Sequence, residues 1–273
     1  MSDPAGDGTG GDPIRLYSAQ CGWRCGNAGD ECARDIVRWL SGQVVTQTDH
    51  PQTADLAAVG SVAQNLGRAF AGHVWGVGLM FDHVRVETPL AKVHALRGPL
   101  TARRWEGLER RVPLGDPGLL AADAYSITRE MPPRYRVGLV PHYSDGDLLD
   151  VREWARAFCE EVTVIDICGR PRDVLEQMAR CEHILSSSLH GLVFADSLGV
   201  PNNWVILSDR VQGGGFKFRD YYATFGVQDP LPACFHATAR PSDIVGYPQE
   251  ARRYGIGSVK RDLRETFPFP RTT

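Results

Sequence analysis

No apolar run in this chain approaches the roughly 20 residues needed to cross a bilayer. There is no basic excess either: 30 Lys and Arg stand against 33 Asp and Glu, a formal net charge of −3. A global field for nucleic acid or an anionic membrane is therefore not expected. The start, MSDPAGDGTGGDP, lacks the basic and apolar regions of a secretory signal and reads as a disordered tail over 1–13, which gives a cytoplasmic expectation. The seven cysteines follow no disulfide-scaffold spacing. Six residues separate Cys25 from Cys32, so Cys21, Cys25 and Cys32 match neither the usual zinc pairs nor the ferredoxin spacings. No metal or cofactor is expected. The turn GNAGDE (Gly26–Glu31) carries neither a dinucleotide fingerprint nor GKT or GKS.

What is there is an alternation of short apolar runs and helix-like segments, the pattern of an α/β protein with parallel sheets. In the first half, strands are predicted at Ile14–Ala19, Val44–Thr48, Leu56–Val62, His73–Leu79 and Val93–Leu96. Helices are predicted at Glu31–Leu40 and Pro99–Glu106. The second half repeats the pattern, with strands at Arg136–Val140, Val162–Ile167, His183–Ser186 and Trp204–Leu207. Its helices are predicted at Leu148–Cys159, Pro171–Arg180 and Leu189–Leu198. Between the halves, Ala121–Pro133 reads as a linker. The expected architecture is two Rossmann-like domains facing across a cleft, 14–130 and 131–273, the second ending in a helix and tail.

Ligands of open α/β sheets sit beyond the carboxyl ends of strands, near helix N-termini. The stretch ILSSSLHGLVFADSLGVP (Ile184–Pro201) lies at such a place. Ser186, Ser187 and Ser188 end a strand and His190 opens a helix whose free amides suit an anion. The serines either cap the helix or bind that anion. The helix end disfavours a charged imidazole, while a bound dianion favours it. Asn27 and Asp30 sit in the glycine-rich turn, where Asp30 is a candidate cap. Asp116 before Pro117 reads as an N-cap. Arg97 is either an anion fork or half of a surface ion pair. His142 and Asp145 follow the first strand of the second half. Lys217 and Arg219, beside three glycines, suit a mobile anion lid or a loop whose aromatics pack down.

Taken in order, the N-x-G-D of Asn27, Gly29 and Asp30, then VWGVGL, LRGPLT, LGDPGLL, GLVPHYSD, SSSLHGLVFADSLGVPN and KFRDYY resemble the polysaccharide pyruvyl transferase family. The likeness runs from about Leu16 to Tyr222. One departure stands out: Ser188 occupies a position where some members carry an arginine that helps hold the donor.

The resemblance implies a glycosyltransferase-B-like pair of Rossmann folds, phosphoenolpyruvate as donor, a saccharide diol as acceptor, and a cyclic pyruvate ketal with release of phosphate. On that reading His190 is the acid. Arg97, Lys217, Arg219 and the backbone around Ser187, Ser188 and Leu189 hold the donor. Asn27, Asp30 and His142 face the acceptor, which is lipid-linked, nucleotide-linked or free. A basic C-terminal segment with Arg252, Arg253, Lys260, Arg261 and Arg264 offers either a membrane-surface contact or a solvated helix. The rival readings are a nucleotide-sugar glycosyltransferase on the same architecture and a non-catalytic sugar or anion binder.

Overall fold

The computed structural model describes residues 12–18, 26–233, 235–236, 238–244 and 250–271. Cys21 and Cys25, with most of the N-terminal tail, lie outside the described residues. The short apolar runs form two all-parallel sheets. In the first, β1 (Ile14–Tyr17), β2 (Val45–Thr48), β3 (Leu56–Ala58), β4 (His73–Val77) and β5 (Lys92–Leu96) lie in the order β2-β1-β3-β4-β5. In the second, β6 (Tyr135–Val140), β7 (Val162–Val164), β8 (Cys181–Ser186) and β9 (Asn202–Trp204) lie in the order β7-β6-β8-β9. Each sheet reverses direction of growth beside its first strand, between β1 and β3 and between β6 and β8. Such switch points open a crevice outside the carboxyl ends of the strands.

The helices are α1 (Ala28–Ser41), α2 (Pro99–Arg103), α3 (Ala121–Tyr125), α4 (Leu149–Ala157), α5 (Pro171–Ala179), α6 (Leu189–Leu198), α7 (Phe216–Ala223), α8 (Pro241–Ile244) and α9 (Glu250–Glu265). Helix α6 has the bounds its sequence predicts. Helix α1 starts three residues earlier than expected because Asn27, not Asp30, is its cap: Asn27 Oδ1 accepts the Gly29 N–H at 2.9 Å. Asp116 caps the 3-10 turn Pro117–Leu120 as expected, accepting from Gly118 N–H at 2.9 Å. Several strands shift or shorten, β4 ending at Val77 and β7 at Val164. β3 stops at Ala58 because Val59 and Gly60 take φ of 62° and 84°, which turns the chain out of the sheet. The last strand is Asn202–Trp204 rather than Trp204–Leu207.

One apolar core runs through both halves. Ile36 and Val37 of α1, Leu119 and Leu120, Val174 and Leu175 of α5, and Val193 and Phe194 of α6 belong to a single buried cluster. The segment read as a linker therefore begins as core: Ala121 and Ala122 are buried, and Ala122 N–H donates to Ser197 Oγ of α6. Helix α9 returns to the first sheet, where the Leu263 carbonyl accepts the N–H of the buried Trp75 indole at 3.0 Å. A buried indole needs that partner. Lys260 and Arg264 both pair with Asp123, and Arg264 lies over the Trp39 ring. These two cations of the basic C-terminal segment are engaged within the chain. Among the described residues no helix is long and apolar enough to cross a membrane.

Candidate functional site

The carboxyl ends of β1, β3, β6 and β8 deliver their following residues to one pocket. Its walls include Asn27 and Asp30 from the start of α1, Ser61 and Gln64 after β3, and His142 after β6. Ser188, Leu189 and His190 come from the start of α6, and Lys217 from α7. The cavity measures about 140 Å³. Both switch points thus feed a single site.

The serine run divides its labour. Ser187 Oγ donates to Asp145 Oδ2 at 2.7 Å and accepts the His142 N–H at 2.8 Å. Ser208 Oγ holds the other Asp145 oxygen at 2.5 Å. Ser187 therefore ties β6 to β8, and its hydroxyl is committed to the fold. Ser186 Oγ accepts the Ser188 N–H at 3.0 Å. Ser188 is the backbone N-cap of α6 but makes no side-chain cap bond, so of the two readings of the serines the helix cap is not the one made. The first-turn amides of α6 keep their hydrogen-bonding capacity, and Ser188 itself lines the pocket.

His190 packs against α1 at Gly29. A Cβ at Gly29 would come within 1.8 Å of His190 Nδ1, so the absence of a side chain there makes room for the ring. His190 Nε2 is sealed from solvent and points toward Asp116 Oδ2, 4.0 Å away. Burial first, then the charges of Lys217 and Arg97 and the neighbouring His142, push His190 down to about 3. Without a ligand, the burial and these cations hold the imidazole toward its neutral form. Burial and Lys217 likewise push His142 down to about 3, while Nδ1 of His142 sits 2.8 Å from Ser144 Oγ. Burial pushes Asp30 up to about 6, with Lys217 pulling the other way.

The predicted cations separate. Lys217 is buried in the first turn of α7 and lines the pocket. Gly213, Gly214 and Gly215 all have positive φ and deliver the chain into that helix, whose Phe216, Phe218, Tyr221 and Tyr222 are buried. The aromatics pack down, and Lys217 belongs to a packed helix rather than to a lid. Arg219 Nη1 donates to Gly214 O at 2.8 Å, half-exposed and outside the pocket wall. Arg97 is wholly buried and is not a donor fork. Its nitrogens bond Asp220 Oδ2 at 3.0 Å, Ser61 Oγ at 2.6 Å and the Leu79 carbonyl at 2.5 Å. The alternative, a surface ion pair, is corrected too, since the pair is internal. Ser61 and Gln64 were not singled out from the sequence. The one signal for them was the VGSV turn after an apolar run, which reads equally well as strand. Val59, a β-branched residue held at φ 62° beside this wall, carries backbone strain of about 1–3 kcal/mol.

Among the described residues, no group of three or more His, Cys, Asp or Glu side chains is placed to hold a metal ion. The polar set can bind a small anion on Lys217 and the α6 amides, and can move protons at His190, Asp30 and His142.

Comparison with known proteins bears on the same segment. Over 178 residues the chain is 30% identical to Uncharacterized protein L143 of Acanthamoeba polyphaga mimivirus, covering 62% of this chain and 60% of that protein. Over 212 residues it is 27% identical to Succinoglycan biosynthesis protein ExoV of Rhizobium meliloti (strain 1021), covering 74% of this chain and 62% of that protein. The chain thus spans about three fifths of the length of the curated relatives it matches. Residues 82–209 match the profile described as Polysaccharide pyruvyl transferase, a segment that holds Asp116, His142 and the whole Ser188–His190 wall. Residues 82–209 thus carry the sequence pattern of the polysaccharide pyruvyl transferase family.

Proposed function

We propose that the protein transfers the pyruvyl unit of phosphoenolpyruvate to two hydroxyls of a saccharide, forming a cyclic ketal and releasing phosphate. The observation that carries this reading is the joint placement of His190, Lys217 and the α6 amides in one small pocket. Cavities for drug-sized ligands run about 300–1,000 Å³. A cavity of about 140 Å³ has room for a three-carbon phosphate.

In the proposed chemistry Lys217 and the first-turn amides of α6 hold the donor's anionic groups, which supplies electrostatic stabilisation. Lys217 provides a cation in a site whose Ser188 provides none. His190 gives a proton to C3, and C2 becomes cationic. The first hydroxyl adds to C2 and loses its proton to Asp30 or His142. Phosphate then leaves, and the second hydroxyl closes the ring with loss of its own proton. Because Nε2 is sealed, Nδ1 is the nitrogen assigned to proton exchange between His190 and the pocket.

The test combines purified protein, phosphoenolpyruvate and a panel of saccharides that includes succinoglycan fragments, followed by phosphate release and product mass. Acceptor-dependent phosphate with one pyruvyl ketal added, reduced about 10²–10⁴-fold in His190→Ala, supports the reading. Absence of phosphoenolpyruvate binding, with turnover of a nucleotide sugar instead, overturns it. Saturable donor binding with no phosphate released under any acceptor favours a binding protein.

A further inference from the structure

Two sealed polar atoms of this site lack a hydrogen-bond partner among the described residues, and they face each other. His190 Nε2 and Asp116 Oδ2 lie 4.0 Å apart. Asp116 is wholly buried, and its other oxygen already accepts the Gly118 N–H. Each orphaned buried group costs about 1–3 kcal/mol. One proton between the two atoms, with an approach of about 1 Å, converts both costs into a hydrogen bond. Such contacts commonly tighten when a site is occupied.

We propose that Asp116 and His190 form one proton-holding pair, in which Asp116, a positioning residue, passes a proton to Nε2 as Nδ1 gives one to the ligand. The proposal rests on the pocket being the phosphoenolpyruvate site. The step balances. The Nδ1–H bond breaks and a C3–H bond forms from the alkene electrons. The electron pair left on Nδ1 is absorbed as Nε2 takes the proton of Asp116 Oδ2. The imidazole ends neutral with its proton on Nε2, Asp116 ends as a carboxylate, and C2 carries the balancing positive charge.

The surroundings favour this route over an imidazolium. His190 faces Lys217, Arg97 and His142, all of which oppose a positive ring. Burial pushes Asp116 up to about 6, with Asp220 adding to the effect and Arg97 opposing it. Asp30 feels both Asp116 and Lys217, and the buried Cys32 thiol lies within the field of Asp30 and Asp116. The pair's proton therefore resides on the carboxyl. A bound dianion stabilises it further, and the titration belongs to the pair rather than to either residue.

The experiment is a ¹⁵N-histidine NMR titration of the full chain across about pH 4.5 to 8.5, which brackets histidine's usual range. His190→Gln assigns the ring. In the native sequence the His190 nitrogens are expected to move through one step near pH 6, shifted up by about one unit or more with phosphoenolpyruvate bound. Asp116→Asn can still donate to Nε2 but carries no transferable proton. It should lose the step and slow turnover by about 10²-fold or more, with KM for phosphoenolpyruvate changed less than about threefold. Asp116→Glu should restore part of both. An unchanged step in Asp116→Asn, or no step in the native chain, overturns the pair. If Asp116→Asn does not fold, the native titration and Asp116→Glu decide. A step near pH 6 in a protein that neither binds phosphoenolpyruvate nor releases phosphate overturns the reading of the pocket and leaves the pair standing.

Discussion

Arg97 and Asp220, 123 positions apart, form an ion pair of 3.0 Å with both side chains wholly buried. Asp220 Oδ1 also accepts the N–H groups of Leu100 and Thr101, at 3.0 and 2.9 Å, and so caps α2 from the other half of the chain. This clamp fixes α7, and α7 carries Lys217 into the pocket.

Breaking the clamp should be costly, because the surviving charge is left buried and unpaired. Arg97→Ala or Asp220→Ala is expected to lower unfolding free energy by about 3–5 kcal/mol in chemical denaturation. The Arg97→Met, Asp220→Leu double variant should lose less than the sum of the single losses, because it leaves no orphaned charge. Additive losses would remove the pair as a coupled unit.

Gly29→Ala should displace the His190 ring, since the new methyl would overlap Nδ1. A stability loss of about 1–3 kcal/mol is expected from overpacking. Phosphate release should fall well beyond what that loss explains when folded protein is assayed at low temperature. Full activity in this variant would mean that the ring need not lie on α1.

Lys217→Met removes the cation that depresses His190, His142 and Asp30. All three should titrate at higher pH, the histidines moving back toward their usual range and Asp30 moving further from its own. NMR titration reads each of them. Phosphoenolpyruvate affinity should fall about tenfold or more, the scale of a charged hydrogen bond of about 1.5–3 kcal/mol.

Asp30 gives a pH-dependent stability of definite sign. Its folded value, about 6, lies above the ordinary 3.8. The folded state therefore holds the proton more tightly between those values. This contribution is fully present below pH 3.8 and is lost as pH rises through about 6. Asp30→Asn, neutral throughout, should stabilise the protein by roughly 1–3 kcal/mol near pH 8 and by less near pH 4.5. Urea unfolding at both values checks it, and equal gains at the two would sink the assignment.

Much of the fold was legible in the sequence because period and length suffice for it. The runs RVGLV and HILS could only be short buried strands, and the block from Leu189 to Leu198, closed by Gly199, could only be a helix. His190 was legible as a site residue for the same reason: a strand, a polar turn and a helix start lie in unbroken succession. The β3 end was not legible, because LAAVGSV reads as strand until Val59 turns to φ 62°, a conformation that a β-branched residue rarely adopts.

The sequence by itself determined the parallel α/β class, most strand and helix positions, and the candidate status of Asn27, Asp30, His142, His190 and Lys217. The class and the element positions follow from hydrophobic periodicity, and the candidate residues from their places at strand ends and glycine-rich turns together with the family resemblance. Only the tertiary structure decided that Arg97 is clamped to Asp220, that Ser187 is spent on Asp145, and that His190 faces Asp116. In each case the deciding quantity is whether a polar group finds its partner inside the protein or is left facing the pocket. That depends on residues up to 123 positions away and on the dielectric of the place where they meet.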